Sequence, residues 1–131
     1  MMDEEKQQVI RQRMEEARET LVEAKTLLDR DLRRGTINRS YYAMFYAVLA
    51  LAASKGLAIS KHTHAIAFFD KEFVRKGIFP KEFSGYLHFG FEERQTRDYG
   101  EIWEIDRPDA ETTLLEAEKF VDVVENYLKS L

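Results

Sequence analysis

An all-α fold, five helices running up and down like a four-helix bundle with one added, is expected from three features of the sequence. The first is residues 41–53, where no side chain is charged and every face of a helix is apolar or aromatic. A helix that is hydrophobic all round is normally a buried one. At about 1.5 Å rise per residue the apolar part is roughly 20 Å long. That is short of the roughly 20 residues a bilayer span needs, so it reads as a central core helix and no membrane association is expected. The second feature is apolar side chains recurring every three to four residues before and after this stretch, the helical period. The third is sparse punctuation: two prolines and six glycines in 131 residues favour long helices over many short strands.

Taken in order, helix one is expected from about Asp3 to Arg33, with Val9, Met14, Ala17, Leu21, Ala24, Leu28 and Leu32 as its apolar stripe. Glu16, Glu19 and Glu23 beside Arg13, Arg18 and Lys25 make the other face a charged, exposed one. Gly35 is read as its end, and Thr36 or Asn38 as the cap of the central helix. So short a turn demands an antiparallel hairpin. Gly56 stops the central helix, and Leu57 to Thr63 is a loop. Helix three, about His64 to Lys76, carries Ile66, Phe69, Phe73 and Val74 on one side, and Gly77 closes it. Helix four starts at Phe79-Pro80, because proline suits a first helical turn, and continues to about Arg97. Residues 98–107 form a loop with Ile102 and Trp103 tucked against the body. Pro108 begins the last helix, whose core stripe is Leu114, Ala117, Val121, Val124 and Leu128.

The 44% hydrophobic content suits one domain spanning residues 1–131, with residues 1–8 prone to fray. With no cysteine, disulfides, thiolate zinc sites and cysteine nucleophiles are excluded. The charged opening, Met-Met-Asp-Glu-Glu-Lys, has no apolar signal region, so a cytoplasmic location is the expectation. A net charge of −4 argues against broad, non-specific nucleic-acid binding, which depends on lysine and arginine facing phosphates. Two basic groups stand out nonetheless: Arg30, Arg33, Arg34 and Arg39, opposed by Asp29 and Asp31, and Lys71, Arg75, Lys76 and Lys81. The plain reading is a solvated helix end favoured by the helix dipole. The sharper one is a small RNA or nucleotide footprint.

Two places hold more polar side chains than packing requires. One is the head of the central helix: Asn38, Arg39, Tyr41, Tyr42 and Tyr46. Asn38, Tyr42 and Tyr46 follow at four-residue steps and share a face. Buried polar tips are costly unless paired, so this end requires a specified network. The other is residues 92–99, Glu-Glu-Arg-Gln-Thr-Arg-Asp-Tyr, at the end of helix four. Arg94 and Asp98 are four apart and either pair along the helix or turn inward toward the tyrosines. The aromatic residues Phe68, Phe69, Phe73, Phe83, Phe89 and Phe91 read as core or dimer interface rather than base-stacking platforms. Helix four has more apolar perimeter than one bundle contact buries, which points to a homodimer through it.

Arg39-Ser40-Tyr41-Tyr42-Ala43, Ser60-Lys61-His62 and Arg94-x-x-x-Asp98-Tyr99 together resemble the HEPN family, and within it the small prokaryotic branch marked by Arg-Ser-Tyr-Tyr-Ala. The resemblance runs over roughly Arg18 to Tyr127. It implies a helical bundle that often dimerises, commonly paired with a nucleotidyltransferase in a toxin–antitoxin module. It implies ligand-binding roles for Asn38, Arg39, Tyr42, Tyr46, Arg94, Asp98 and Tyr99, with Arg94 and Asp98 as catalytic candidates. Nucleotide or RNA is the implied ligand, with no cofactor and no metal.

Active ribonucleases of the family share an Arg-x(4–6)-His motif, in which arginine stabilises phosphate charge and histidine moves the proton. Here no histidine follows Arg94, and Asp98-Tyr99 stands in its place. An aspartate is ionised at neutral pH and donates no proton. The leading expectation is therefore a nucleotide- or RNA-binding, partner-interacting domain. The alternatives are a metal-independent endoribonuclease with a modified site, or a scaffold in which an Arg–Tyr–Asp network only locks helices together. His62 and His64 read as capping or surface residues, and His88 as a partly buried, hydrogen-bonded one. A spatial approach of His62 or His88 to Arg94 would restore the missing histidine.

Overall fold

The computed structural model describes residues 3–98 and 105–131, and for 94–98 the backbone alone. Five helices carry the described chain: α1 (Glu4–Asp29), α2 (Arg33–Ser54), α3 (His62–Phe69), α4 (Lys81–Asp98) and α5 (Arg107–Lys129). A single π-helical turn, Asp70–Val74, extends α3. No strand occurs among the described residues. Asp3 starts α1 by accepting the Lys6 amide at 2.8 Å, and Glu4 and Glu5 fall where the dipole favours anions.

The first turn differs from the sequence expectation. Helix one stops at Asp29 rather than Arg33, and α2 already begins at Arg33, so Gly35 lies inside it. The reversal is made by Asp31, in the left-handed conformation with φ 59°, a state aspartate tolerates better than most residues. Neither Thr36 nor Asn38 caps α2: the Thr36 hydroxyl donates back to the Leu32 carbonyl at 3.0 Å, and the Asn38 amide oxygen accepts from Arg39. Leu32, expected in the core, precedes α2 and is exposed; Val9 is exposed as well, and Ile10 is buried in its stead.

Asp31 also gathers charge. It accepts from Arg33 at 2.8 and 3.0 Å and from Arg107 at 3.1 Å. Arg107 in turn donates to the Leu28 carbonyl at the end of α1, and Arg33 to the Ile105 carbonyl before α5. Arg33, one member of the expected basic footprint, is therefore engaged with Arg107 in closing one end of the bundle. The hydrogen-bonded Arg33 guanidinium, with Arg107 beside it, holds the Asp31 carboxyl below its usual range.

Helix α2 touches all four other helices, most extensively α1. Residues 43–45 and 47–53 are all buried, as the absence of charge required. Gly56, at φ 75°, ends it. Phe69, Phe73, Phe79, Phe83 and Phe120 form a second aromatic cluster. Phe73 stacks on Phe79 at 5.3 Å, and Phe83 meets Phe120 at 5.1 Å between ring centres. Burying each such ring contributes about 1.5–3 kcal/mol relative to exposure. The α5 stripe Leu114, Ala117, Val121, Val124 and Leu128 is buried in full. Arg18 of α1 reaches across to Asp122 and Glu125 of α5 at 2.7 and 2.5 Å, in place of its expected α1 neighbours.

Helix α4 crosses α2 at Gly90. A β-carbon there would stand 2.8 Å from Cδ1 and 2.9 Å from Cβ of Tyr41, closer than packed carbons approach. Gly90→Ala therefore forces Tyr41 or α4 aside and is expected to cost about 1–3 kcal/mol in urea denaturation. Asp31→Asn keeps the left-handed turn but removes its charge. Because the folded carboxyl titrates below the unfolded one, its stabilisation is present above the unfolded pKa and disappears as pH falls through the folded value. The variant is expected to be less stable than wild type at neutral pH, with the gap closing in acid. Denaturation curves across that range read it directly.

Candidate functional site

The head of α2 presents two faces with different fates. Ser40 and Tyr41 turn into the core and are fully buried, while Asn38, Arg39, Tyr42 and Tyr46 are half-buried. Asn38, Tyr42 and Tyr46 thus share the boundary face that their spacing called for, and the Tyr42 and Tyr46 rings lie 6.2 Å apart. Arg39 is bound by short-range contacts. Its guanidinium donates to the Asn38 side chain at 2.9 and 3.2 Å, lies 3.8 Å from Glu23, and sits 5.0 Å from the Tyr42 ring centre. Its side chain remains 34% exposed. A guanidinium over an aromatic face is held by the ring's quadrupole yet keeps donors for an anion.

The residue that organises this end is His62. It opens α3, preceded by Lys61, and its ring is half-buried. The Tyr41 hydroxyl lies 2.7 Å from its Nδ1. Phe45 stacks on it at 4.2 Å and 17°, Phe91 of α4 at 6.2 Å and 26°, and Tyr42 meets it edge-on at 5.6 Å. A buried tyrosine hydroxyl requires a partner, and His62 of α3 is one that the fold brings to Tyr41. This histidine was read from the sequence as a cap or surface residue. The triplet Ser60-Lys61-His62 was the signal available, but nothing local says that the ring turns inward toward a tyrosine on another helix. His64 is exposed, as expected. His88 is hydrogen-bonded, to Asp70 at 2.9 Å, but stands on the surface and away from the tyrosines.

The structure brings together Asn38, Arg39, Tyr41, Tyr42 and Tyr46, and adds Phe45, His62 and Phe91. The side chains of Arg94 and Asp98, and all of Tyr99, Ile102 and Trp103, lie outside the described residues. Arg94 follows Phe91 by three residues along α4. Among the described residues no group of three carboxylate, histidine or thiolate side chains could hold a metal ion, and no helix is long and apolar enough to cross a membrane.

Residues 10–127 of the chain match the family model of the HEPN domain. The chain belongs to the HEPN domain family. This HEPN chain is 39% identical to a UPF0332 protein of Thermotoga maritima, over 97% of its own length and 96% of the relative's. It is also similar to two proteins of Methanocaldococcus jannaschii that carry a provisional toxin name. One is 31% identical over 89% of this chain and 80% of that protein; the other is 33% identical over 90% and 87%. The Arg39–Tyr42 stack and the Tyr41–His62 bond therefore belong to a HEPN bundle, built from the Arg-Ser-Tyr-Tyr-Ala segment and the start of α3.

Tyr41→Phe removes the hydroxyl and leaves His62 Nδ1 without that partner. The expected cost is about 1–3 kcal/mol, measurable as a lower denaturation midpoint with an unchanged far-ultraviolet spectrum.

Proposed function

We propose that this HEPN domain binds RNA or a nucleotide phosphate at the head of α2 and the end of α4, as the helical half of a toxin-like pair with a nucleotidyltransferase partner. The observation that carries the reading is the half-exposed Arg39 guanidinium stacked on Tyr42, one ring away from His62. Such a cation offers donors to a phosphate while the tyrosine and histidine rings border the same place. Arg94, three residues beyond Phe91 in α4, supplies the second cation in this reading, and Asp98 and Tyr99 border the ligand. The provisional toxin name carried by the Methanocaldococcus relatives supports the module, and the localised rather than general basic charge suits a small footprint.

The homodimer belongs to the same proposal. Phe89 on α4 is 43% exposed. It borders a shallow groove with Tyr86 and the α5 residues Thr112 and Glu116, an apolar surface suited to a second copy.

Fluorescence anisotropy with single-stranded RNA tests the binding site. Arg39→Ala and Arg94→Ala are each expected to weaken binding about tenfold or more. Each loss of a phosphate contact should also flatten the salt dependence by about 0.7 in the log–log slope. Affinity and salt slope unchanged in both variants would remove the site from the head of α2.

A further inference from the structure

The seam between the first half of α1 and the last turns of α5 holds a cleft of about 270 Å³. Ile10, Met14 and Leu128 form its floor, and Leu131, 60% exposed, stands at its edge. Arg11 of α1 and Lys129 of α5 border it from opposite helices, and both are exposed. Among the described residues neither cation makes a hydrogen bond or an ion pair. The carboxylate best placed for Lys129 is Glu125, one turn back on α5, and Arg18 engages it across the seam. Arg18 lies two turns beyond Arg11 on the same face of α1, so one arginine of that face joins the helices and the other is left over. Lys129 sits in the last turn of α5, where the dipole favours a cation. That accounts for the lysine, but not for the arginine or for the apolar floor between them. A second hollow continues the cleft along α1, sharing Arg11, Met14 and Glu125 and passing Glu15 and Glu19. Together they make an elongated groove, apolar at its cationic end and acidic farther along.

We propose that this cleft docks a helical segment of a partner protein, with a large apolar side chain seated over Ile10, Met14 and Leu128 and carboxylates facing Arg11 and Lys129. A groove between two packed helices accepts a third helix by its apolar face, and one anchor side chain in a pocket carries much of the binding energy. Charge complementarity selects the partner. Its segment is acidic where it meets the two cations and is not acidic beside Glu15 and Glu19. The elongated shape selects a segment over a compact amphiphile, whose single headgroup would engage only one end. The cleft shares no residue with the groove at Phe89, and the head of α2 stands beside Glu23, farther along α1. A partner held here leaves both the proposed RNA site and the proposed dimer surface open.

Randomised helical peptides displayed on phage and selected on the full chain test the docking site, with an Arg11→Glu, Lys129→Glu double variant as the counter-selection. Both positions are exposed, so the variant should melt as wild type does; a clearly lower melting temperature would assign the two cations to the fold and overturn the proposal. Enriched peptides are expected to carry one large apolar residue flanked by aspartate or glutamate. They should move the methyl NMR signals of Ile10, Met14 and Leu128 and bind the double variant about tenfold more weakly. The same peptide with its carboxylates exchanged for lysines should reverse that order and favour the variant. Selected peptides that are basic, that bind both proteins equally or that shift only other methyls would overturn the proposal, as would a selection that enriches nothing. Decanoate moving the same methyls when no peptide does would give the cleft to a small amphiphile. Concentration-dependent shifts of those methyls in the protein alone would give it to a second copy. Either result overturns the partner segment.

Discussion

Tyr41 sits where the central helix has no exposure at all, and its hydroxyl is a polar atom inside an apolar bundle. That single constraint shapes one end of the molecule. The hydroxyl must meet a partner, and His62 is delivered to it by the start of α3 at 2.7 Å. The ring must also have room, and Gly90 opens it by having no side chain where α4 passes. The Tyr41 ring and its hydrogen bond to His62 help register helices α2, α3 and α4 against one another. The aromatic residues that surround the pair, Tyr42, Phe45 and Phe91, then complete a wall whose outer side carries Arg39.

The charged residues divide into two groups. Arg33 and Arg107 converge on Asp31 and on the carbonyls of Leu28 and Ile105, closing the turn between α1 and α2 against the start of α5. Arg18 ties α1 to α5 farther along the bundle. These pairs are at least partly exposed, and each is screened by solvent, so they direct helix placement more than they add stability. Arg39 differs in kind. Its contacts are with its sequence neighbour Asn38, with Glu23 and with an aromatic face, none of which links distant ends of the chain. A cation held this way keeps an orientation without being consumed by the scaffold. That distinction separates Arg39 from the arginines that tie distant elements together.

The aromatic cluster of Phe69, Phe73, Phe79, Phe83 and Phe120 gives the core its bulk. The head of α2 instead collects hydroxyl, imidazole and guanidinium groups in half-buried positions, where packing alone would favour apolar residues. Polar groups persist at such a boundary when they satisfy each other and still face outward. Here the hydroxyl and one imidazole nitrogen do the first, and the half-exposed arginine does the second.

Much of this was readable in the sequence because it is local. The uncharged run of α2 implied burial on every side, the α5 stripe followed its helical period, and Gly56 marked a helix end through its left-handed backbone. The common face of Asn38, Tyr42 and Tyr46 followed from spacing alone, as did the five helices. The tertiary structure decided what spacing leaves open. It ended α1 four residues early, because Asp31 takes the left-handed turn with two arginines on its carboxylate, one of them from the far end of the chain. It turned His62 from an expected surface position into the tyrosine cluster, where its Nδ1 lies 2.7 Å from the buried Tyr41 hydroxyl of another helix. Helical periodicity reports which face is apolar. Only the packing of separate helices reports which polar atom meets which, and the site is made of those meetings.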